Sequence, residues 1–103
     1  MQVDVWYFEE CPNWRTGADR LRLALGRAGL GHAEVRLVPV ASEADAVSIG
    51  FAGSPTFTLD GVDLFDPPPS TGGLACRVYR TSTGLAGVPD VDDLVAALSG
   101  KAI

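Results

Sequence analysis

VDVWYFEECPNW, residues 3–14, decides the fold, because a buried strand runs there directly into the start of a helix. Val3 to Phe8 is β-branched and aromatic, the composition of a mostly buried strand. Pro12 suits the first turn of a helix, where its missing N–H is not needed. Apolar side chains then recur at Trp14, Ala18, Leu21, Leu25 and Ala28, in steps of three and four that share one helix face. Arg15, Asp19 and Arg22 point elsewhere, and Gly29 and Gly31 stop the helix.

Downstream, HAEVRLVPV (32–40) alternates Val35 and Leu37 with Glu34 and Arg36, a second strand, and Pro39 marks its end or an exposed edge. Ser42 caps a short helix, with Asp45 where a capping-box partner belongs; Ala44, Val47 and Phe51 are expected on its inner face. GSPTFTLDGVDLF (53–65) gives a strand at Thr56 to Leu59, a tight Asp60-Gly61 turn, and a hairpin partner from Val62 to Phe65. DPPPSTGG (66–73) breaks all periodicity. LACRVY (74–79) reads as an extra strand or an ordered loop. Pro89 and Asp90 open a last helix through Leu94, Val95 and Leu98, with Gly100 as its stop.

The order is βαβα, then ββ, then α. The first crossover gives two parallel strands with a right-handed connection, and the hairpin adds antiparallel neighbours. An α/β fold follows: one domain over residues 1–103, a four-stranded mixed sheet covered by helices, and an insertion at 66–89 before the last helix.

Composition narrows the function. The chain has 103 residues, nearly half of them apolar, and a net charge of -5. It can bury a core, and with no basic stripe it is not expected to bind nucleic acid or an anionic membrane surface. No apolar run approaches spanning length, and no basic region followed by an apolar stretch opens the sequence, so a soluble cytoplasmic protein is expected. Two cysteines are too few for a disulfide scaffold. With His32 the only histidine, a four-ligand zinc site of Cys and His is not possible, and no metal or cofactor is expected. There is no nucleophile elbow, phosphate loop or metal-spaced His pair.

Cys11 carries the chemistry. At a strand-to-helix junction, free backbone N–H groups and the helix dipole favour a thiolate over a thiol. Arg15, one turn along, would add positive charge, and Glu9 and Glu10 act against it. The bland reading is a small buried cysteine.

The strand VDVWYF, CPNW in place of a Cys-x-x-Cys motif, and Ser54-Pro55-Thr56 ahead of a strand together resemble the thioredoxin superfamily. The resemblance covers about residues 3–65 and the last helix. It implies a thioredoxin-like fold, a cis Ser54-Pro55 bond packed beside Cys11, and a Ser54 backbone able to pair with an extended thiol substrate. Pro12, Trp14, Arg15, Ser54, Pro55 and Thr56 become the substrate-positioning residues. Two positions depart from the pattern: Trp14 replaces the second cysteine, and Val5 stands where a buried acid is frequent. An ordinary dithiol motif is therefore missing, and Trp14 on the inner helix stripe reads first as core packing.

Cys76 lies in the insertion, whose Leu74, Val78, Tyr79, Leu85 and Val88 suggest that it packs on the domain. If it crosses to Cys11, Cys76 is a distant resolving thiol; otherwise it is a structural cysteine. Closeness within about 7 Å between Cα atoms is required. The segment and GSPT also resemble small bacterial thioredoxin-like proteins labelled alkylmercury-lyase-like. Arg77 and Arg80, flanking Tyr79, would suit a carboxylate such as that of glutathione, or a solvated face. His32 reads as a surface residue.

Three functions are compatible with these residues: thiol–disulfide exchange through Cys11 with protein or small-molecule partners, a non-catalytic thioredoxin-fold binding module, and a soft-metal or organomercurial thiol site from Cys11 and Cys76.

Overall fold

The computed structural model of the chain describes residues 2–65 and 74–102. The irregular DPPPSTGG stretch (66–73), and with it the first part of the expected insertion, lies outside them. The elements are β1 (Gln2–Tyr7), α1 (Trp14–Arg27), β2 (Glu34–Pro39), α2 (Glu43–Ile49), β3 (Thr56–Leu59), β4 (Val62–Asp63), β5 (Tyr79–Thr81), β6 (Gly84–Ala86) and α3 (Val91–Ala102). Strands β2-β1-β3-β4 form one mixed sheet. β1 and β2 are parallel, Val3 facing Val35 and Val5 facing Leu37; β3 runs antiparallel to β1, with Val5 opposite Phe57. The expected α/β architecture is present, with a sheet of mixed direction.

Alternation along β1 divides the molecule. Val3 and Val5 face Ala18, Leu21 and Leu25 of α1, Leu94 and Leu98 of α3, and Phe57 and Leu59 of β3, the main core. On the other side Trp6 packs with Val40, Ala46 and Phe51 under α2, and its indole N–H donates to Thr58 Oγ1 at 2.9 Å. Asp4 is buried on this side and accepts two hydrogen bonds from Arg36, each 3.2 Å. Val5, at the position where an acid was of interest, is wholly core.

Several boundaries differ from the sequence reading, each for a local reason. α1 begins at Trp14 behind Asn13 as N-cap, so Pro12 precedes the helix instead of opening its first turn. In α2 it is Ala46 that turns inward, while Val47 is exposed and Ala44 also faces out; one helical turn has room for a methyl group against Trp6 and Phe51. Leu37 sits on the outer strand β2 and is exposed. The hairpin partner shortens to the two residues of β4. α3 continues through Gly100 to Ala102, since a glycine inside a helix weakens it by about 1 kcal/mol without forcing a stop. Tyr79 and Val88 of the insertion pack inward, whereas Val78 and Leu85 stay exposed.

The Ser42 cap forms as expected, its Oγ accepting the Asp45 N–H at 3.1 Å. Ser42→Ala is expected to lower stability by about 1 kcal/mol in chemical denaturation, and an unchanged midpoint would show that α2 does not need this bond. Among the described residues no helix is long and apolar enough to cross a membrane.

Candidate functional site

Where β1 ends, the chain turns through Glu9 and Glu10, and the Cys11 N–H returns to the Phe8 carbonyl at 3.0 Å. That turn places Cys11 below the molecular surface, 2 % exposed, beside Tyr7 and Trp14. Its sulfur lies 3.5 Å from the Ser54 carbonyl oxygen. The Ser54–Pro55 bond is cis, and Ser54 Oγ accepts the Phe8 N–H at 3.3 Å, so the loop before β3 and the end of β1 are fastened to each other around the sulfur.

The second cysteine completes the site. Cys76 Sγ is 3.9 Å from Cys11 Sγ. Both cysteines are free thiols, Cys11 buried and Cys76 exposed. The segment that brings Cys76 there, residues 75–77, runs parallel to Ser54 as a single rung of sheet. The Ser54 N–H donates to the Ala75 carbonyl at 2.8 Å, and the Arg77 N–H donates to the Ser54 carbonyl at 3.0 Å. Both main-chain groups of Ser54, expected to face a partner, are thus used within the chain.

Arg77 anchors this strap. It is 3 % exposed and forks onto Asp63, with Nη1 to Oδ2 at 2.8 Å and Nη2 to Oδ1 at 3.3 Å. Its Nη1 also reaches Thr56 Oγ1 at 3.4 Å, and its guanidinium lies 4.8 Å from the centre of the Tyr79 ring. Tyr79 donates its hydroxyl to the Pro55 carbonyl. Burial is the main reason its phenol is pushed far above the ordinary range, so it remains a donor at all working pH. Gly53 makes room: with φ at 114°, a Cβ there would come within 2.8 Å of Arg77 Cβ.

The remaining expected site residues fall into place around this pair. Pro12 is exposed. Trp14 stacks on Tyr7, centroids 4.0 Å apart, and its indole N–H has no partner among the described residues. Arg15 is exposed, pairs with Glu9 at 3.8 Å and lies over the Trp14 ring. Pro55 and Thr56 are buried, the Thr56 hydroxyl donating to the Gly53 carbonyl. Arg77 is committed to Asp63 and does not offer a carboxylate fork to glutathione; Arg80 and His32 are exposed. Asp63 was not singled out by sequence reasoning, because an acid two residues after a turn looks like a solvated one.

Compared with protein-family models, curated proteins and solved structures, the chain matches none. Two sulfurs 3.9 Å apart lie within about 2 Å of the disulfide length of about 2.05 Å. Among the described residues no three His, Cys, Asp or Glu side chains gather as a metal site.

The Cys76 thiol is pushed up from its ordinary value, first by burial of its sulfur, then by the hydrogen bond to Cys11, then by charge on that sulfur. The residue as a whole is exposed, yet its sulfur faces inward. A raised value means less thiolate at a given pH, so alkylation of Cys76 is expected to rise only at higher pH than for a free cysteine. Cys11→Ala removes the last two causes and should move that midpoint down. A midpoint that stays put in peptide-resolved mass analysis would show that the sulfurs do not meet in solution.

Proposed function

We propose that this chain is a thioredoxin-like thiol–disulfide exchange protein whose working pair is Cys11 and Cys76. The observation that carries the proposal is the 3.9 Å separation of the two sulfurs, with the Ser54–Pro55 loop packed against Cys11 in support. The second cysteine of a Cys-x-x-Cys motif is replaced in sequence by Trp14 and in function by a residue of the strap.

The exchange balances as follows. The Cys11 thiolate attacks one sulfur of a partner disulfide, and the other partner sulfur leaves as a thiolate that takes up a proton. Cys76 then gives up its proton and attacks the Cys11 sulfur, which breaks the bond to the partner and expels its second thiol. The partner disulfide has gained two electrons, the chain holds a Cys11–Cys76 disulfide, and an external dithiol returns it to the start. Protein or small-molecule disulfides, glutathione among them, are the partner class. A reducing compartment such as the cytoplasm keeps the resting pair as thiols.

Cys76→Ser tests the assignment. Treated with glutathione disulfide, the folded variant is expected to accumulate one glutathione on Cys11, because nothing resolves the adduct. Failure of Cys11 to take up glutathione would leave a non-catalytic binding module as the better reading. The same sulfur separation favours a second reading, a two-coordinate soft ion such as Cu(I) or Hg(II) between the thiolates. Its mark is one tightly held ion per chain, lost when either cysteine is replaced.

A further inference from the structure

Residues 75–77 lie on Ser54 as a bound peptide would. They are extended, paired through two main-chain hydrogen bonds, and carry a cysteine whose sulfur meets Cys11. The next side chain, Arg77, enters a prepared place: the Asp63 carboxylate takes its fork, Thr56 Oγ1 takes a further contact, and Gly53 has no side chain to obstruct it. Ala75, Cys76 and Val78 are exposed, so the strap lies at the surface, with the side chains of Arg77 and Tyr79 turned inward.

From these contacts we infer that the strap occupies a peptide subsite, and that the site's partner is an extended segment in which a cysteine is followed directly by an arginine, read by Asp63. The inference rests on the exchange function proposed above. An external segment of this pattern recovers the main-chain rung, the sulfur contact and the ion pair that residues 75–77 give up, so the contacts balance when it replaces them. Position matters because the residues before and after the cysteine, although on the same side of an extended chain, stand about 6.5–7 Å apart along it. An arginine before the cysteine is displaced by that length from Asp63 and misses it. Return of the strap expels the partner from Ser54 and brings Cys76 back to Cys11 in one movement, so resolution and release coincide. Asp63 is a specificity residue that touches the partner's side chain and not the reacting sulfurs.

The test uses the full chain carrying Cys76→Ser and Arg77→Gln, which frees the subsite. Two peptides of equal composition and charge, Ala-Cys-Arg-Val and Arg-Cys-Ala-Val, are supplied as mixed disulfides with glutathione. Cys11 attacks the peptide sulfur and glutathione leaves as the thiol, so intact mass reads the adduct directly. The first peptide is expected to react about tenfold faster, the worth of one charged hydrogen-bonded contact, and Asp63→Asn should erase the difference. Equal rates for the two peptides overturn the inference while leaving exchange at Cys11 intact. Should Arg77→Gln fail to fold, Cys76→Ser alone is expected to give the same ranking at lower rates. The thiol-free peptide Ala-Ser-Arg-Val separates the two claims. If Cys11 proves inert, it should still shift the Ser54 and Thr56 amide resonances more than Arg-Ser-Ala-Val does, and equal shifts would again reject the subsite.

Discussion

Asp63→Ala is expected to destabilise the chain by about 3–5 kcal/mol, the usual cost of removing one partner of a buried ion pair. The Arg77 side chain is almost wholly enclosed and Asp63 mostly so, with 2 % and 18 % of their side chains exposed. Without the carboxylate, the guanidinium keeps a weak contact to Thr56 Oγ1 at 3.4 Å and the face of Tyr79, neither of which neutralises it. At this chain length each kcal/mol moves the melting temperature by about 4–8 °C, so the loss is large in a thermal scan. The double variant Asp63→Ala, Arg77→Met should recover much of it, because an apolar pair of similar volume needs no charge partner. A single variant within about 0.5 kcal/mol of the parent would show that Arg77 is not held inside, and the strap would lose its anchor.

Gly53→Ala should slow Cys11–Cys76 disulfide formation by roughly a hundredfold while leaving the sheet intact. The new methyl group would stand 2.8 Å from Arg77 Cβ and 3.0 Å from its N and Cα, and the backbone there has a φ of 114° that side-chain-bearing residues rarely adopt. The strap must move outward, taking Cys76 from Cys11. A displacement near 1 Å is enough to cost about 100-fold in a reaction that depends on placement. Oxidation kinetics followed by mass would measure this. A variant that oxidises as fast as the parent would mean that the strap reaches Cys11 without the Ser54 rung.

The parts of the fold legible in the sequence are those set by local pattern. The run Val3 to Phe8, the helical stripe Ala18, Leu21 and Leu25, the Ser42 cap and the Asp60-Gly61 turn each state their structure within a few residues. Asp60, at φ 49°, and Gly61, at φ 86°, adopt the left-handed conformations that the turn requires. Cys11 and Ser54-Pro55 were legible as a pair of neighbours only through resemblance. Of the strap, its packing on the domain and Cys76 as a candidate second thiol were legible, but its pairing with Ser54 was not. Ala75 to Arg77 meets Ser54 through main-chain groups more than twenty residues away, and main-chain pairing leaves no periodic trace in so short a segment. Arg77 and Asp63 read as ordinary surface charges because only their mutual placement takes them out of water. Val47 misled for the opposite reason: in a seven-residue helix, a shift of one position decides which apolar side chain faces the sheet, and Ala46 took that place.

A two-cysteine site split between a helix entry and a distant strap has a consequence for control of the reaction. Under the proposed exchange, glutathione disulfide first leaves a glutathionyl group on one cysteine, and the other sulfur, 3.9 Å away in the resting chain, displaces it as the thiol to close the Cys11–Cys76 bond. Internal oxidation should therefore outrun stable adduct formation.

The intact mass of the reduced chain after exposure to glutathione disulfide tests this most directly. Loss of two hydrogens at the monomer mass, absent in Cys11→Ser and in Cys76→Ser, is the expected result, with the bond between Cys11 and Cys76 in a peptide map. A folded chain that keeps its reduced mass, or that carries glutathione on both cysteines with no bond between them, would contradict the pairing on which the proposed function stands.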